Sequence, residues 1–331
     1  MRIDMHAHII PQCVYKTTES HGHWYGHRIE QNAKGQDVVL AKDHDPRVTP
    51  PSMRFTPDER AEAMEGEGVD MHLLSLDPHL LDYSLGPKDS LKAAQEVNDD
   101  ISAFVHGRPD RFRGLATLPM QDPNASVEEL ERAMKELGLT GIELCASIGD
   151  KNFDDPSFHP VWKAAERLGA IIFVHATPDA PLATKTLPFL YNLIGNPLET
   201  TLAIYSVIFG GVLDHFPNLK FCFGHGGGLA CFALARVEEH GYKRRPQVRE
   251  RAKLPPSEYM RRMHFDCIVH TPANMRFLMD HVGSDRVVLG SDFPFDPCYR
   301  DAVGWVQGLD IISEEEKEKV LSSNAMQLLG L

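Results

Sequence analysis

Five residues of this sequence have the types and the spacing that metal chemistry requires. His6 and His8 are two positions apart, so on a strand both side chains point to the same face. His175, His225 and Asp292 each lie at or just beyond the end of another short apolar run. Three neutral imidazoles and one carboxylate make a suitable shell for Zn²⁺ with a position left open for water. The expected chemistry is that of a metal ion that orients a substrate and acidifies water.

The apolar pattern indicates which elements position these residues. Short apolar runs alternate with stretches of helical periodicity, such as Ser126 to Leu137. Alternating strands and helices predict an α/β fold, and eight such units predict a (β/α)8 TIM barrel with its active site at the C-terminal ends of the strands. The eight runs are Arg2 to His6, Val69 to Leu76, Phe112 to Leu118, Gly141 to Cys145, Ala170 to His175, Lys220 to Gly224, His264 to Val269 and Arg286 to Gly290.

Each metal-binding candidate, taken alone, can also be explained without a metal. A His-x-His pair among 17 histidines often arises by chance, and a histidine at a strand end often only caps a carbonyl group. Joint placement on the catalytic face of one barrel favours the metal site. The tract from His21 to His27 competes as a metal locus, but it lacks carboxylate support, and we interpret it as the wall or lid of a pocket.

The interval from Pro11 to Phe55 breaks the alternation of strands and helices. It is rich in Pro, Gly, His and charge, and it shows no sustained periodicity. A segment of this length is usually functional or disordered. We expect an insertion or lid over residues 11–55 after the first strand, with the first barrel helix starting near Thr56. No linker divides the chain, so residues 1–331 are predicted to form a single barrel domain.

Composition limits the classes of partner. The chain has 331 residues, with 34 Lys+Arg against 47 Asp+Glu, and its formal net charge is −13. Such an excess of negative charge disfavours nucleic acid, and the longest uncharged apolar stretch, near Ile204 to Leu213, is too short to span a membrane. We expect a cytoplasmic protein with no membrane or nucleic-acid partner. The six cysteines form no C-x-x-C pair, so buried, reduced thiols are expected.

One segment is strongly basic, although the chain as a whole has a net negative charge. Six cations fall within eleven residues, and such a segment is usually solvated or forms an interface; attraction of a carboxylated substrate is the functional alternative. The six are Lys243, Arg244, Arg245, Arg249, Arg251 and Lys253.

Several motifs together resemble the amidohydrolase superfamily, and more narrowly the family of 2-amino-3-carboxymuconate-6-semialdehyde decarboxylase and related metal-dependent decarboxylases. The likeness extends over nearly the whole chain. The motifs are Ile3-Asp4-Met5-His6-Ala7-His8, Phe173-Val174-His175, Phe223-Gly224-His225-Gly226-Gly227-Gly228, Leu289-Gly290-Ser291-Asp292-Phe293-Pro294-Phe295, Gly114 to Gln121, Pro197 to Thr201 and Asn324 to Gly330.

This resemblance implies a distorted (β/α)8 barrel with one divalent metal, usually zinc, although another such as Mn²⁺ is possible. The metal is held by the positions of His6, His8, His175 and Asp292, and His225 matches the acid/base histidine of the family. Many amidohydrolases carry a bridging lysine at the end of strand four, where this chain has Gly141 to Ser147. The missing lysine favours a mononuclear site. Glu143 is either a buried, satisfied carboxylate or a site residue.

The resemblance also implies substrate-binding residues and a homodimer. Arg47 matches an arginine that holds a substrate carboxylate, and Arg245 matches one delivered from the neighbouring subunit; a guanidinium suits a carboxylate because it donates two parallel hydrogen bonds. Phe295 is a further candidate. The family's second arginine in the insertion has no clean counterpart, since Arg54 is displaced. Thr177 replaces a tryptophan, so the substrate is open to question.

The leading functional hypothesis is a zinc-dependent, non-oxidative decarboxylase of a small unsaturated or aromatic carboxylic acid. In it His225 moves a proton between water and substrate, and Asp292 both ligates the metal and relays charge. The nearest alternative is a hydrolase of a C–C, ester or amide bond, or a hydratase, that uses the same centre. A third hypothesis is a non-catalytic metal-binding barrel, although a purely structural zinc site does not require His225. Release of carbon dioxide separates the first hypothesis from the others.

Overall fold

The computed structural model of the protein describes residues 1–41, 46–176, 190–295 and 299–331, and the elements below are numbered in chain order within them. Thr177 and Cys298, the last of the six cysteines, lie outside the described residues. The other five cysteines are free, and four of them are buried while Cys13 is half-buried, as expected for reduced thiols.

Eight strands form one sheet whose order follows the chain, and each pairs in parallel with its neighbours. Edge to edge, the backbone N–H of Met5 donates to the carbonyl of Leu289 at 2.9 Å, and Ala7 bridges to Phe293. The predicted (β/α)8 barrel is confirmed. Its strands are β1 (Ile3–Ile9), β5 (Met71–Leu76), β6 (Phe112–Ala116), β7 (Gly141–Cys145), β8 (Ile171–His175), β9 (Lys220–Phe223), β10 (His264–Asp266) and β11 (Val287–Val288).

Helices follow the strands around the barrel, and strand burial explains the near-continuous apolar runs in the sequence. Every residue of β1, β5 and β7 is buried, as parallel strands covered on both faces require. The α-helices are α1 (Gln12–His21), α2 (Pro57–Glu67), α3 (Pro87–Gly107), α4 (Pro123–Lys135), α5 (His159–Leu168), α6 (Asn196–Phe209), α7 (Val212–His215), α8 (Ala230–Arg236), α9 (Pro246–Arg251), α10 (Pro256–Met260), α11 (Pro272–Val282), α12 (Ala302–Gln307), α13 (Glu314–Glu318) and α14 (Asn324–Leu329).

A β-bulge in β1 aims the two histidines of the first motif. The pairing of β1 with β5 is regular up to Asp4 and resumes at Ala7 with a shifted register. One extra residue reverses the alternation of side chains. Ile3 and Met5 both belong to the apolar cluster with Phe173, as regular alternation requires. The ring of His6, the next residue, nevertheless also contacts Phe173, with centroids 4.8 Å apart.

The segment between β1 and α2 is more regular than the sequence indicates. It contains α1 and an antiparallel three-stranded sheet of β2 (Arg28–Gln31), β3 (Asp37–Leu40) and β4 (Arg47–Val48). These strands have two to four residues, which is too short for a periodic pattern to stand out.

Helix α2 begins where the sequence predicts. The side chain of Thr56 accepts a hydrogen bond from the backbone of Glu59, and the Glu59 carboxylate accepts one from the backbone of Thr56. This capping box satisfies two backbone donors at the start of the helix. Among the helices of the described ranges, none is both long and apolar enough to cross a membrane.

Candidate active site

The five candidates converge at the C-terminal end of the barrel. One ligand atom from each of His6, His175, His225 and Asp292 can be chosen so that all four atoms lie within 4.8 Å of one another. His8 contacts the same carboxylate, since its Nε2 lies 3.2 Å from Asp292 Oδ1, the distance that also separates His6 Nε2 from that oxygen. All five candidates therefore surround one point.

The atoms that face this point lack hydrogen-bond partners. His6 Nε2, His8 Nε2, His175 Nε2 and Asp292 Oδ1 are all buried and unpaired within the described part of the chain. Unsatisfied buried polar atoms are costly, and proteins rarely leave several together. Three imidazole nitrogens and one carboxylate oxygen form a donor set that suits a divalent transition metal, so the residues fit such an ion.

The opposite nitrogen of each of these three imidazoles is held by an acceptor. His6 Nδ1 lies 2.6 Å from Asp266 Oδ2, His8 Nδ1 lies 3.2 Å from the carbonyl of Leu76, and His175 Nδ1 lies 2.9 Å from the carbonyl of Ala176. Carbonyl and carboxylate oxygens only accept, so each Nδ1 carries the proton. Each Nε2 is therefore the nitrogen that faces the common point and that can bind a metal once it is unprotonated.

Burial and neighbouring charges set the protonation preferences of the cluster. Burial lowers the pKa of His8 and lowers that of His175 strongly, which favours neutral imidazoles. For His6, burial also acts to lower the pKa, but the carboxylates of Asp292 and Asp266 outweigh it and raise the pKa to about 10. The pKa of Asp292 is held well below its usual range, because the surrounding histidines outweigh the effect of burial. Asp292 is thus a carboxylate at neutral pH.

His225 lies in a glycine-rich turn beyond β9. Its φ of 55° is left-handed, and so are those of Gly226, Gly227 and Gly228. A Cβ on Gly228 would come within 2.1 Å of the carbonyl of Pro197, so this position requires glycine. The turn places His225 Nε2 3.9 Å from Asp292 Oδ2 and leaves the side chain 15% exposed. A proton carrier in this position can be reached from outside.

A cavity of about 420 Å³ adjoins the cluster, within the size range of small-molecule sites. His175 and Asp292 line it on the barrel side, while Arg47 and Phe295, two of the predicted substrate-binding residues, line it as well. The insertion supplies a large share of the wall, from Gln36, Arg47, Val48, Thr49, Pro50 and Pro51.

Arg47 is held in place by a buried carboxylate and an aromatic ring. Its Nη2 donates to Asp77 Oδ2, and its guanidinium lies over Phe295, 5.0 Å from the ring centroid. Asp77 also accepts from His79 Nδ1 at 3.0 Å. Burial acts to raise the pKa of Asp77, but the positive charge of Arg47 outweighs it and holds that pKa well below its usual range. Arg47 is therefore fixed at the cavity wall.

Arg245 lies apart from this cavity. It is exposed in the turn between residues 237–242 and the helix Pro246–Arg251. Within one chain, the described residues do not bring Arg245 to the cavity lining.

The competing histidine tract packs elsewhere. His21 and His23 are exposed, and the indole of Trp24 donates to Glu96 at 2.9 Å. Within the described ranges the tract forms no cluster of metal-binding atoms and does not line the cavity.

The structure also places acidic residues around the site that the sequence analysis did not identify. Asp266 ends β10, Asp77 follows β5, and Asp4 of β1 accepts a hydrogen bond from the backbone of Ser291 at 3.1 Å. An acidic residue at the end of a predicted barrel strand was the available signal for Asp77 and Asp266. Glu143 is fully buried, its Oε1 lies 3.6 Å from His8 Nδ1, and its pKa is raised well above the usual range by burial.

A parallel barrel with imidazoles and a carboxylate converging at its C-terminal end, beside a cavity, defines a metal-dependent barrel enzyme. The amidohydrolase family model matches residues 3–331. The chain belongs to the amidohydrolase family.

Individual relatives indicate which members of the family the chain is similar to. The 2-amino-3-carboxymuconate-6-semialdehyde decarboxylase of Dictyostelium discoideum is 37% identical over 339 residues, which cover 100% of this chain and 92% of that protein. The structure of 5-carboxyvanillate decarboxylase from Sphingomonas paucimobilis is 27% identical, with a TM-score of 0.82 over 100% of this chain and 99% of that one. The chain thus groups with decarboxylases of the family.

A further structure shares the fold. It is a dihydroxybenzoic acid decarboxylase from Polaromonas with bound manganese and the inhibitor 2-nitroresorcinol. It is 21% identical, with a TM-score of 0.75 over 100% of this chain and 97% of that one.

Proposed function

We propose that this protein is a metal-dependent, non-oxidative decarboxylase of a small unsaturated or aromatic carboxylic acid. One observation carries the proposal: three imidazole Nε2 atoms and Asp292 Oδ1, all buried without a hydrogen-bond partner among the described residues, face one point beside a cavity that Arg47 lines. The named relatives, which act on carboxylic acids, support the same class of reaction.

His6, His8, His175 and Asp292 would hold the metal, and zinc is the proposed ion because imidazole nitrogen suits it. Manganese is the alternative, since the Polaromonas relative contains it. When bound, the ion supplies Lewis-acid chemistry that orients an oxygen-bearing substrate and acidifies water.

Arg47 and Phe295 would bind and orient the substrate. The Arg47 guanidinium can donate two parallel hydrogen bonds to a carboxylate, and the ring of Phe295 offers a flat apolar surface for an unsaturated carbon skeleton. Phe295 also contacts His8, with ring centroids 5.2 Å apart, so a substrate that lies along this ring extends from Arg47 toward the metal ligands.

His225 would be the acid that delivers the proton. The carbon that bears the carboxylate gains this proton, and the positive charge spreads over the neighbouring unsaturated carbons. The bond to the carboxylate then breaks, its electron pair restores the unsaturated system, and carbon dioxide leaves. Asp292 Oδ2, 3.9 Å from His225 Nε2, stabilises the protonated imidazole.

We further propose a cytoplasmic homodimer in which Arg245 completes the site of the partner chain and residues 11–55 form one wall of the cavity. Exposed apolar side chains on segments that contact one another support the dimer, because apolar patches mark interaction sites. They are Leu193, Ile194, Leu202, Leu229 and Phe232, and the last is 84% exposed.

The test is metal analysis of the purified protein together with a carbon dioxide release assay on unsaturated and aromatic carboxylic acids. About one divalent ion per chain and metal-dependent release of carbon dioxide would support the proposal. Product formation from esters, amides or alkenes without carbon dioxide would replace it with hydrolysis or hydration. A native protein without a tightly bound divalent ion would overturn the metal site.

A further inference from the structure

Asp266 connects the metal-binding cluster to the turn that contains His225. It ends β10 and is fully buried. Its Oδ2 accepts hydrogen bonds from His6 Nδ1 at 2.6 Å and from the backbone N–H of His225 at 2.9 Å. Its Oδ1 accepts from the backbone N–H groups of Gly226 at 2.7 Å and Ile268 at 3.1 Å. Each oxygen of this carboxylate thus accepts two hydrogen bonds.

The bond to His6 determines which nitrogen faces the metal. A carboxylate that accepts from Nδ1 keeps the proton there, and Nε2 is left with a free lone pair. The other two imidazoles obtain the same tautomer from backbone carbonyls of Leu76 and Ala176. His8 Nδ1 also lies 3.0 Å from Ser75 Oγ, but its backbone carbonyl remains when that side chain is replaced. The partner of His6 Nδ1 is the side chain of Asp266, which a substitution can remove.

The bonds to the turn hold a strained backbone. His225 has a φ of 55° and Gly226 a φ of 59°, and a left-handed non-glycine residue costs free energy. Successive backbone N–H groups in such a turn point toward one anion and form a nest around it. The carboxylate of Asp266 is that anion, so it stabilises the turn that places His225.

Two glycines provide the space for this arrangement. A Cβ on Gly290 would lie 2.7 Å from the Cβ of Asp266 and 3.1 Å from that of His6. A Cβ on Gly224 would lie 3.1 Å from His6 Cε1. The close approach of Asp266 to His6 therefore requires small residues on both neighbouring segments.

We propose that Asp266 is a positioning residue with two linked effects: it fixes the tautomer of His6 for metal binding, and it fixes the turn that presents His225 to the substrate. The inference rests on the proposed function only for the second effect. The first concerns metal affinity and is independent of the reaction.

Asp266→Asn is the informative variant. It keeps the size of the side chain but replaces one acceptor oxygen by an NH₂ group, which would face N–H donors from His6 and His225 or from Gly226 and Ile268. The matched control is Glu129→Gln, because Glu129 is another buried carboxylate with hydrogen bonds, to Asn98 and Arg132, on the outer helix Pro123–Lys135.

Metal affinity is measured on the metal-free full chain by competition with a chelator, with Zn²⁺ and Mn²⁺ as probes. For Asp266→Asn we expect a dissociation constant about 10- to 100-fold higher than in the wild type, while Glu129→Gln stays within about twofold. At saturating metal, kcat of Asp266→Asn should fall while KM changes little, because the turn and not the substrate-binding wall is altered. A metal affinity equal to that of the control would overturn the inference.

A measurement on the wild type covers the case in which Asp266→Asn does not fold. In the zinc-loaded protein with ¹⁵N-labelled histidine, NMR should show His6 protonated at Nδ1, with a proton resonance shifted far downfield by the short bond to Asp266. An Nε2-protonated His6 would overturn the inference. Neither the affinity nor the NMR result uses a substrate, so an inactive protein with the expected results would refute decarboxylation and leave the role of Asp266 standing.

Discussion

Asp292 Oδ2 lies 3.9 Å from His225 Nε2, while Asp292 Oδ1 lies 3.2 Å from His6 Nε2 on the other side. One carboxylate thus presents one oxygen to the metal-binding cluster and the other to the proposed acid. Asp292 itself has a φ of 66°, and its backbone N–H donates to the carbonyl of His6 at 2.9 Å. The proposed metal site and the proposed proton donor therefore share a side chain whose backbone is anchored to β1.

Replacing His225 should separate these two functions. His225→Asn should retain metal, because three imidazoles and Asp292 remain, while kcat falls about 100-fold or more without the acid. Asparagine tolerates the left-handed φ of 55° better than alanine does. The assay is steady-state carbon dioxide release. His270→Asn is the matched control, since His270 is also left-handed, with a φ of 63°, but exposed. A near-normal kcat for His225→Asn would remove the proposed role.

Single substitutions of the proposed metal ligands should abolish tight binding. For His6→Ala, His8→Ala, His175→Ala and Asp292→Ala we expect losses of affinity beyond the roughly 100-fold that an outer partner costs. Elemental analysis after dialysis measures this. His23→Ala belongs to the competing tract and should keep its metal. The reverse pattern, with metal lost only in His23→Ala, would move the site to that tract.

Arg47→Ala should affect substrate binding and stability together. Loss of a charge-assisted hydrogen bond should raise KM roughly tenfold or more. Asp77 is then left buried without its arginine, which should lower the free energy of unfolding by about 3 kcal/mol. Arg47→Lys should recover part of the stability but little of KM. Arg28→Ala, an exposed arginine of the same insertion, serves as the control and should change neither quantity.

Arg245 can be tested by complementation. If Arg245 acts across a dimer, Arg47→Ala and Arg245→Ala chains each bind substrate weakly alone, but a mixed dimer contains one site with both arginines. Random mixing should then restore about a quarter of the wild-type sites, because half of the dimers are mixed and each has one intact site. Activity after mixing and subunit exchange is the readout. No recovery, although mixed dimers are detected, would exclude a role across the interface.

The stability of the fold should fall in acid because of His264. Burial, helped by the positive charge of Arg286, lowers the pKa of His264 to about 4 from the ordinary 6.5. Between these values the unfolded chain binds more protons than the folded one, so stability falls as pH drops from 6.5 toward 4. His264→Gln should lose roughly 2 kcal/mol less than the wild type between pH 7 and pH 5. Denaturant unfolding of the metal-free proteins measures this, and equal losses would contradict the assignment.

Local sequence patterns predict much of this fold, because strand burial and helix capping depend on residues that are close together in the chain. The eight apolar runs correspond to the eight barrel strands, and Thr56 caps the helix that its Thr-Pro-Asp-Glu pattern indicates. Strand boundaries differ by a few residues: the run ending at Leu118 leaves the ladder after Ala116, where the backbone of Thr117 bonds to the side chain of Asn98 instead.

Contacts between distant residues are what the sequence does not predict. Asp266 and His6 are 260 positions apart, and nothing local to either one indicates the other. The same holds within the insertion, where Arg54 pairs with Asp37 and lies 3.9 Å from the ring centroid of Tyr15. Arg54 thus stabilises the small sheet and does not line the cavity.

Barrel and insertion each supply part of the cavity wall, and this has a consequence for how the substrate specificity of such an enzyme can change. The metal-facing side chains belong to barrel strands and their ends, while residues 36 and 47–51 belong to one continuous excursion of the chain. Substitution, shortening or exchange of that excursion would alter the size and charge of the cavity and leave the proposed proton donor and metal ligands unchanged. New substrate specificities can therefore arise within residues 11–55 while the barrel and its polar cluster stay the same.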